Sequence, residues 1–155
     1  MDAKLVNPFV DAFTAVMPQM GFAEPKRLKL YVREKHALSL GVSVIVGFTK
    51  QLRGNVVYNM NEDTAKLIAS TMMMGMPVEE FNEMAQSAIS EMSNMLTATA
   101  ATNLTALGLE VDISTPSLTV GANYQVKISD GQFLTVEMDL GGNMVELDIA
   151  VDRKQ

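Results

Sequence analysis

Apolar residues recur at helical spacing at the start of the chain, where Leu5, Phe9, Ala12, Phe13, Val16, Met17 and Met20 fall on one face. Residues 3–20 are therefore predicted to be helical, with Asp2 able to cap the start, Gly21 ending the run, and Pro8 marking where regular helix can begin. After Glu24-Pro25 the period changes to two: Leu28, Leu30 and Val32 alternate with Arg27, Lys29, Tyr31 and Arg33, as in a half-buried strand. A second strand is expected over 39–48 and a third over 53–60, the three forming an antiparallel meander. Asn61-Glu62-Asp63-Thr64 suits a helix N-terminus and leads into a helix over 65–74, interrupted by Gly75 and Pro77. The longest helix is predicted from about 78 to 107, free of Pro and Gly, with Gly108 just past its end; at 1.5 Å per residue it is about 45 Å long. Strands are expected again over 110–114, 118–120, 124–129, 133–140 and 144–151, with hairpin turns at Asp130-Gly131 and Gly141-Gly142-Asn143. No linker, low-complexity tract or internal repeat interrupts this order. The expectation is one α+β domain over 1–155, an antiparallel sheet with helices packed on one face.

Composition narrows the function classes. The 155 residues are 48% hydrophobic and 19% charged, with no Cys, so neither thiol chemistry nor a Cys-based zinc site is available. Twelve basic residues against eighteen acids give a net charge of −6, and the basic ones are scattered. An electrostatic footprint for nucleic acid or for an anionic membrane surface is therefore not expected. The most apolar run, 38–48, is broken by Gly41, Ser43 and Gly47; it falls short of the roughly 20 residues of a spanning helix and reads as a buried strand. Met1-Asp2-Ala3-Lys4 places an acid where a secretory signal has its positive cluster, so a cytoplasmic location is expected.

The long helix separates into two faces. At 100° per residue, with Met92 at zero, Ala85, Ala88, Ile89, Met92, Met95, Leu96, Thr99 and Asn103 lie within about 60° of that direction and form the predicted core side. Ser87, Glu91, Asn94 and Ala98 fall between about 200° and 260°, a narrow ridge that looks outward. Glu91 and Asn94 are three apart and hence neighbours on the surface, and the small Ser87 and Ala98 flank them and allow a partner to approach closely. The spacing alone is unspecific, and on periodicity a solvated surface explains it. The same spacing at Glu79 and Asn82 is expected in the first turn of this helix, where an acid suits the dipole.

The residues around the ridge add to that picture. The segment Ser87-Ala88-Ile89-Ser90-Glu91-Met92-Ser93-Asn94-Met95-Leu96-Thr97-Ala98 resembles the signature of the CheC, FliY and CheX phosphatases of bacterial chemotaxis: Asp or Ser, three residues, Glu, two residues, Asn. Gly54-Asn55-Val56-Val57-Tyr58-Asn59-Met60, then Glu62-Asp63-Thr64-Ala65 and Met74-Gly75-Met76, is similar to what precedes the signature in CheX, and Val111-Asp112-Ile113-Ser114-Thr115-Pro116 resembles the family's strand ending in proline. The resemblance runs from the first helix to the last hairpin. One departure is Ala98, where the family often has Gly. The chain has one such site, as in CheX, rather than the two common in CheC.

The resemblance implies an enzyme that removes phosphate from the phosphoaspartate of a CheY-type response-regulator receiver domain. Such an acyl phosphate is already activated, and the receiver supplies its own divalent cation and lysine, so the phosphatase has only to place water in line and binds no cofactor itself. Asn94, neutral and both donor and acceptor, suits the water-orienting role, and Glu91 suits docking to the receiver lysine. Ser87 and Ala98 would line the partner contact. Positioning of this kind supplies on the order of 3–4 kcal/mol, or about 100- to 1,000-fold in rate. The resemblance also implies a homodimer built by edge pairing, for which 133–140 is a candidate edge. The alternative is a non-catalytic adaptor on the same scaffold, binding a receiver or a motor component.

Other polar and soft residues have simpler explanations. His36, beside Glu34 and Lys35, is expected in a solvated turn without metal or catalytic partners, which also removes a Ser-His-Asp triad. Gly41 and Gly47 belong to no phosphate-binding pattern. Among the thirteen Met residues, Met72, Met73, Met74, Met76 and Met84 crowd a helix junction; Met can build adaptable binding surfaces, but soft core filling is the expectation here.

Overall fold

The computed structural model describes residues 2–154. The chain opens with a 3-10 turn, Ala3–Val6, whose start is capped by the Asp2 carboxylate accepting from the Lys4 amide at 2.9 Å. Helix α1, Asn7–Gln19, follows directly. Pro8 sits in its first turn, where a missing N–H leaves no hydrogen bond unmade, and Phe9, Ala12, Phe13, Val16 and Met17 are buried on the predicted face.

The sheet differs from the predicted meander. Strand β1, Lys26–Lys50, is a single strand of 25 residues that absorbs both of the first two predicted strands. Glu34-Lys35-His36 interrupts the alternation without reversing the chain: Lys35 takes φ 58° and the register with β4 shifts between Glu34 and His36. His36 is therefore a strand residue opposite Lys127, exposed, and not a turn residue. Strand β2, Leu52–Met60, returns antiparallel to the C-terminal half of β1. Helix α2, Glu62–Met72, is capped by Asn61, whose side-chain oxygen accepts from the Thr64 amide at 2.8 Å.

After the long helix α3, Glu83–Ala106, come the short β3, Val111–Ile113, and then β4, Ser117–Leu140, again one strand where three were expected. The Asp130-Gly131 hairpin is not formed. Both flanks of that dipeptide stay paired to β1, as Lys127↔His36 and Gln132↔Glu34, so the extra residues bulge out. Ser129 Oγ accepts from the Gly131 amide at 3.0 Å and a 2.7 Å Lys127–Asp130 ion pair closes the bulge. The chain does turn at Gly141-Gly142, with Leu140 opposite Asn143, into β5, Asn143–Arg153.

Strand order is β2-β5-β4-β1-β3, all pairs antiparallel, and β1 also pairs with β2, so β1, β2, β5 and β4 form a closed circuit. Residues 133–140 lie between β1 and β5 and are thus not an edge; open ladders are left at 26–34 of β1, which pairs with β4 alone, and at 117–127 of β4, which pairs with β1 alone.

The helices cover one face of this sheet. Phe13 of α1, Ile68 of α2 and Ile89, Met92 and Leu96 of α3 share a core with Val44, Phe48, Tyr58, Met60 and Leu147, and Phe9 meets Phe48 edge-on at 5.5 Å. The fold is α+β, as expected. The opposite face holds a smaller apolar cluster, Ala37, Val57, Ile128, Phe133 and Ala150, beside a buried polar row. In that row Glu146 pairs with Arg33 at 3.1 Å and accepts from Asn59 Nδ2 at 3.1 Å, while Thr135 donates to Asp148 Oδ1 at 2.8 Å.

Asp148 Oδ2 is buried with no donor to meet it. Burial, reinforced by the nearby Glu146 carboxylate, pushes the Asp148 carboxyl up to about 8 from its ordinary 3.8, and a retained proton supplies the missing hydrogen bond toward Glu146. Because the folded chain binds this proton more tightly than the unfolded chain, its stabilising contribution is complete below the ordinary value and is lost as pH rises through the folded one. Urea unfolding should show stability falling between about pH 4 and about pH 8 and levelling above that, and Asp148→Asn should flatten that slope; an unchanged slope in the variant would exclude Asp148 as its source.

Candidate functional site

Helix α3 begins later than its hydrophobic pattern suggests. Asn82 has extended backbone and its side chain accepts from the Ala85 amide at 3.0 Å, while Gln86 Nε2 donates to the Phe81 carbonyl at 3.0 Å. The cap fixes the first turn at Glu83, so the 24-residue helix is about 36 Å long and Glu79 lies outside it. Asn82 is a cap rather than a first-turn residue.

The buried residues of α3 are Ala85, Ile89, Met92, Ser93, Leu96, Thr97, Ala100 and Leu104. Ala88, Met95, Thr99 and Asn103, expected on the core side, lie half-buried at its margin, and Asn103 Nδ2 donates to the Pro8 carbonyl at 3.0 Å, tying α3 to α1. Ser93 and Thr97 were not anticipated in the interior. They fit because each hydroxyl returns to the backbone one turn earlier: Ser93 Oγ donates to the Ile89 carbonyl at 2.9 Å and Thr97 Oγ1 to the Ser93 carbonyl at 2.7 Å. Thr97 Oγ1 also lies 2.9 Å from the Tyr58 hydroxyl on β2. Burial pushes the Tyr58 hydroxyl far above its ordinary value, so it stays protonated and neutral in this contact.

With Ser93 and Thr97 inside, the centre of the buried face moves by about 70° on the helical wheel, which places the ridge more squarely opposite it. Ser87, Glu91, Asn94 and Ala98 are all exposed along that ridge. Among the described residues neither the Glu91 nor the Asn94 side chain has a hydrogen bond or ion pair, so both are free to engage an incoming group. Of the five clustered methionines, Met72 and Met73 pack against the core as expected, whereas Met74 and Met76, in the link between α2 and α3, and Met84, in the first turn of α3, are exposed.

A convex helix face constrains the chemistry it can perform. It cannot enclose a small molecule, and a groove of about 660 Å³ beside Pro8, Asp11, Asn103 and Leu107 lies toward the other end of α3 without including a ridge residue. Among the described residues no three His, Asp or Glu side chains converge as metal ligands do. An amide and a carboxylate one turn apart on a crest can instead enter a cleft in another macromolecule and act on a substrate held there.

The fold and this crest define a CheC-like α+β architecture presenting an acid–amide pair from its longest helix. A CheC-like protein from Shewanella sp. PV-4 shares that fold with a TM-score of 0.86 at 26% identity, covering 98% of this chain and 99% of the other. The family model for the chemotaxis phosphatase CheX matches residues 42–139, a span that includes β2, α2, the whole of α3 and most of β4. The chain is 30% identical over 127 residues to the CheY-P phosphatase CheX of Thermotoga maritima, covering 82% of both. It also resembles the structure of a CheX-CheY-BeF3-Mg2+ complex from Borrelia burgdorferi, with a TM-score of 0.76 and 26% identity over 97% of this chain and 98% of that one. The chain belongs to the CheX family of chemotaxis phosphatases.

Proposed function

We propose that the chain accelerates hydrolysis of the aspartyl phosphate on a CheY-type receiver domain, with Asn94 orienting the attacking water and Glu91 docking to the receiver's active-site lysine. The observation that supports this reading most is the exposed, unpartnered Glu91–Asn94 pair on the ridge of a CheX-family helix. The Thermotoga relative is a CheY-P phosphatase, and the Borrelia complex joins a CheX to CheY with BeF3 and Mg2+. In the proposed step the water oxygen attacks phosphorus opposite the acyl oxygen, the P–O bond to the aspartyl carboxylate breaks, the carboxylate leaves unprotonated, and both protons of the water depart with the inorganic phosphate. The cation belongs to the receiver. Asn94 holds the water without adding negative charge near the phosphoryl oxygens, and Glu91 fixes the height of the helix above them. With a receiver domain as partner, the proposed work is cytoplasmic. A non-catalytic adaptor would have no use for an oriented amide, which makes catalysis the better reading.

Replacing Asn94 by Ala should leave folding and receiver binding near wild type and slow phosphate loss about 100-fold or more, read as the lifetime of the phosphorylated receiver. Wild-type turnover in that variant would refute the water-orienting role. Glu91→Ala should weaken productive docking to a normal receiver and have little effect with a receiver whose lysine is replaced; equal losses on both receivers would contradict the pairing.

A homodimer is proposed through the open ladder of 26–34, where Leu28, Leu30 and Val32 are exposed on one face of β1. Light scattering at micromolar concentration should give about twice the 16.9 kDa of one chain, and a mass at the single-chain value would rule the dimer out.

A further inference from the structure

We infer that the methionine-lined groove at the N-terminal end of α3 is a second contact for the receiver domain, taking an apolar side chain flanked by lysine or arginine; this rests on the proposed reading of the ridge. Met84 is 62% exposed, Met76 57% and Met74 97%, an unusual outlay of large apolar side chains in one place. Met73, Met76, Val78 and Met84 line a groove of about 350 Å³, and Glu79 and Glu80 stand at its rim. Met84 lies seven residues before Glu91, nearly in line with it on the helix and about 10 Å away along the axis. A specific interface buries about 800 Å² per partner, equivalent to a disc of about 16 Å radius. A receiver centred on Glu91 and Asn94 therefore covers Met84 as well.

The two directions along the helix are not equivalent. Past Asn94 the exposed line continues as Ala98, Thr102 and Thr105, small or polar, whereas before Glu91 it meets the methionines. Flexible, polarizable Met side chains suit an anchor that must adapt to a partner's surface. Charge points to the same partner chemistry. Between Lys66 and Lys127 the sequence contains no Lys, Arg or His, while Glu79, Glu80, Glu83 and Glu91 all lie on or beside this end of α3. Such a face attracts a basic rim and repels an acidic one.

The test is Met84→Lys, with Met84→Leu as the conservative control. Met84 is mostly exposed, so neither change should disturb folding. With a CheY-type receiver as substrate, Met84→Lys should raise the receiver concentration giving half-maximal turnover about tenfold, leave maximal turnover within about twofold, and Met84→Leu should match wild type. Affinity for the same receiver loaded with beryllium fluoride should fall by the same factor in Met84→Lys. Unchanged affinity, or a loss confined to maximal turnover, overturns the inference. An Asn94→Ala variant with normal turnover would instead defeat the catalytic reading, and the beryllium fluoride binding comparison would still decide the groove.

Discussion

Tyr58 on β2 and Thr97 on α3 share a hydrogen bond 2.9 Å long in the interior, flanked by Ile89, Met92 and Leu96, and this contact fixes which way α3 is rotated. Rotation is the variable that matters, because a helix turned by one residue moves every side chain by about 100°. A purely apolar seam tolerates small rolls. A buried hydroxyl pair does not, since losing its partner leaves polar atoms unsatisfied at a cost of about 1–3 kcal/mol. The backbone bonds from Ser93 and Thr97 complete the arrangement, so the crest opposite is held rigidly outward.

That rigidity bears on mechanism. A group that works by placing water contributes only if it is already aimed, and side chains on a packed helix are better aimed than those on a loop. Glu91 and Asn94 need no titration to act in this way: one carries charge to a cation, the other an amide to a water. The demand on the chain is geometric. It is met by a helix long enough, with 24 residues, to present one face to α1, α2 and the sheet and the other to solvent.

Much of this was legible in the sequence, and the exceptions share a cause. Helical spacing located α1, α2 and α3, and the ridge of Ser87, Glu91, Asn94 and Ala98 was placed outward by the same arithmetic. The two long strands were read as several short ones because Lys35 and Asp130-Gly131 look like turns locally. Only pairing on both flanks shows that they are opposed bulges in one ribbon, and pairing is non-local information. The burial of Ser93 and Thr97 has no local signal, because the exposed Thr102 and Thr105 return their hydroxyls to the backbone in the same way; only the partner Tyr58 on β2 distinguishes the buried face. Three of the five clustered methionines depart from the core reading for the opposite reason. Their hydropathy says core, whereas Met74 and Met76 sit on an irregular link that buries Phe81 instead, and Met84 faces outward from the first turn of α3. The start of α3 was set by Asn82, a capping residue visible in the sequence but outweighed there by the apolar pattern before it.

The most direct measurement uses the absence of cysteine, which makes a single introduced thiol unambiguous. Thr105→Cys, on the exposed side of α3 about 16 Å beyond Asn94 and outside the contact, can carry a spin label without crowding the crest. In a complex with an isotope-labelled receiver held in its activated form, the account predicts that paramagnetic broadening falls on the face of the receiver that carries its phosphorylated aspartate. Broadening centred on a remote face of the receiver, with that aspartate untouched, would contradict it.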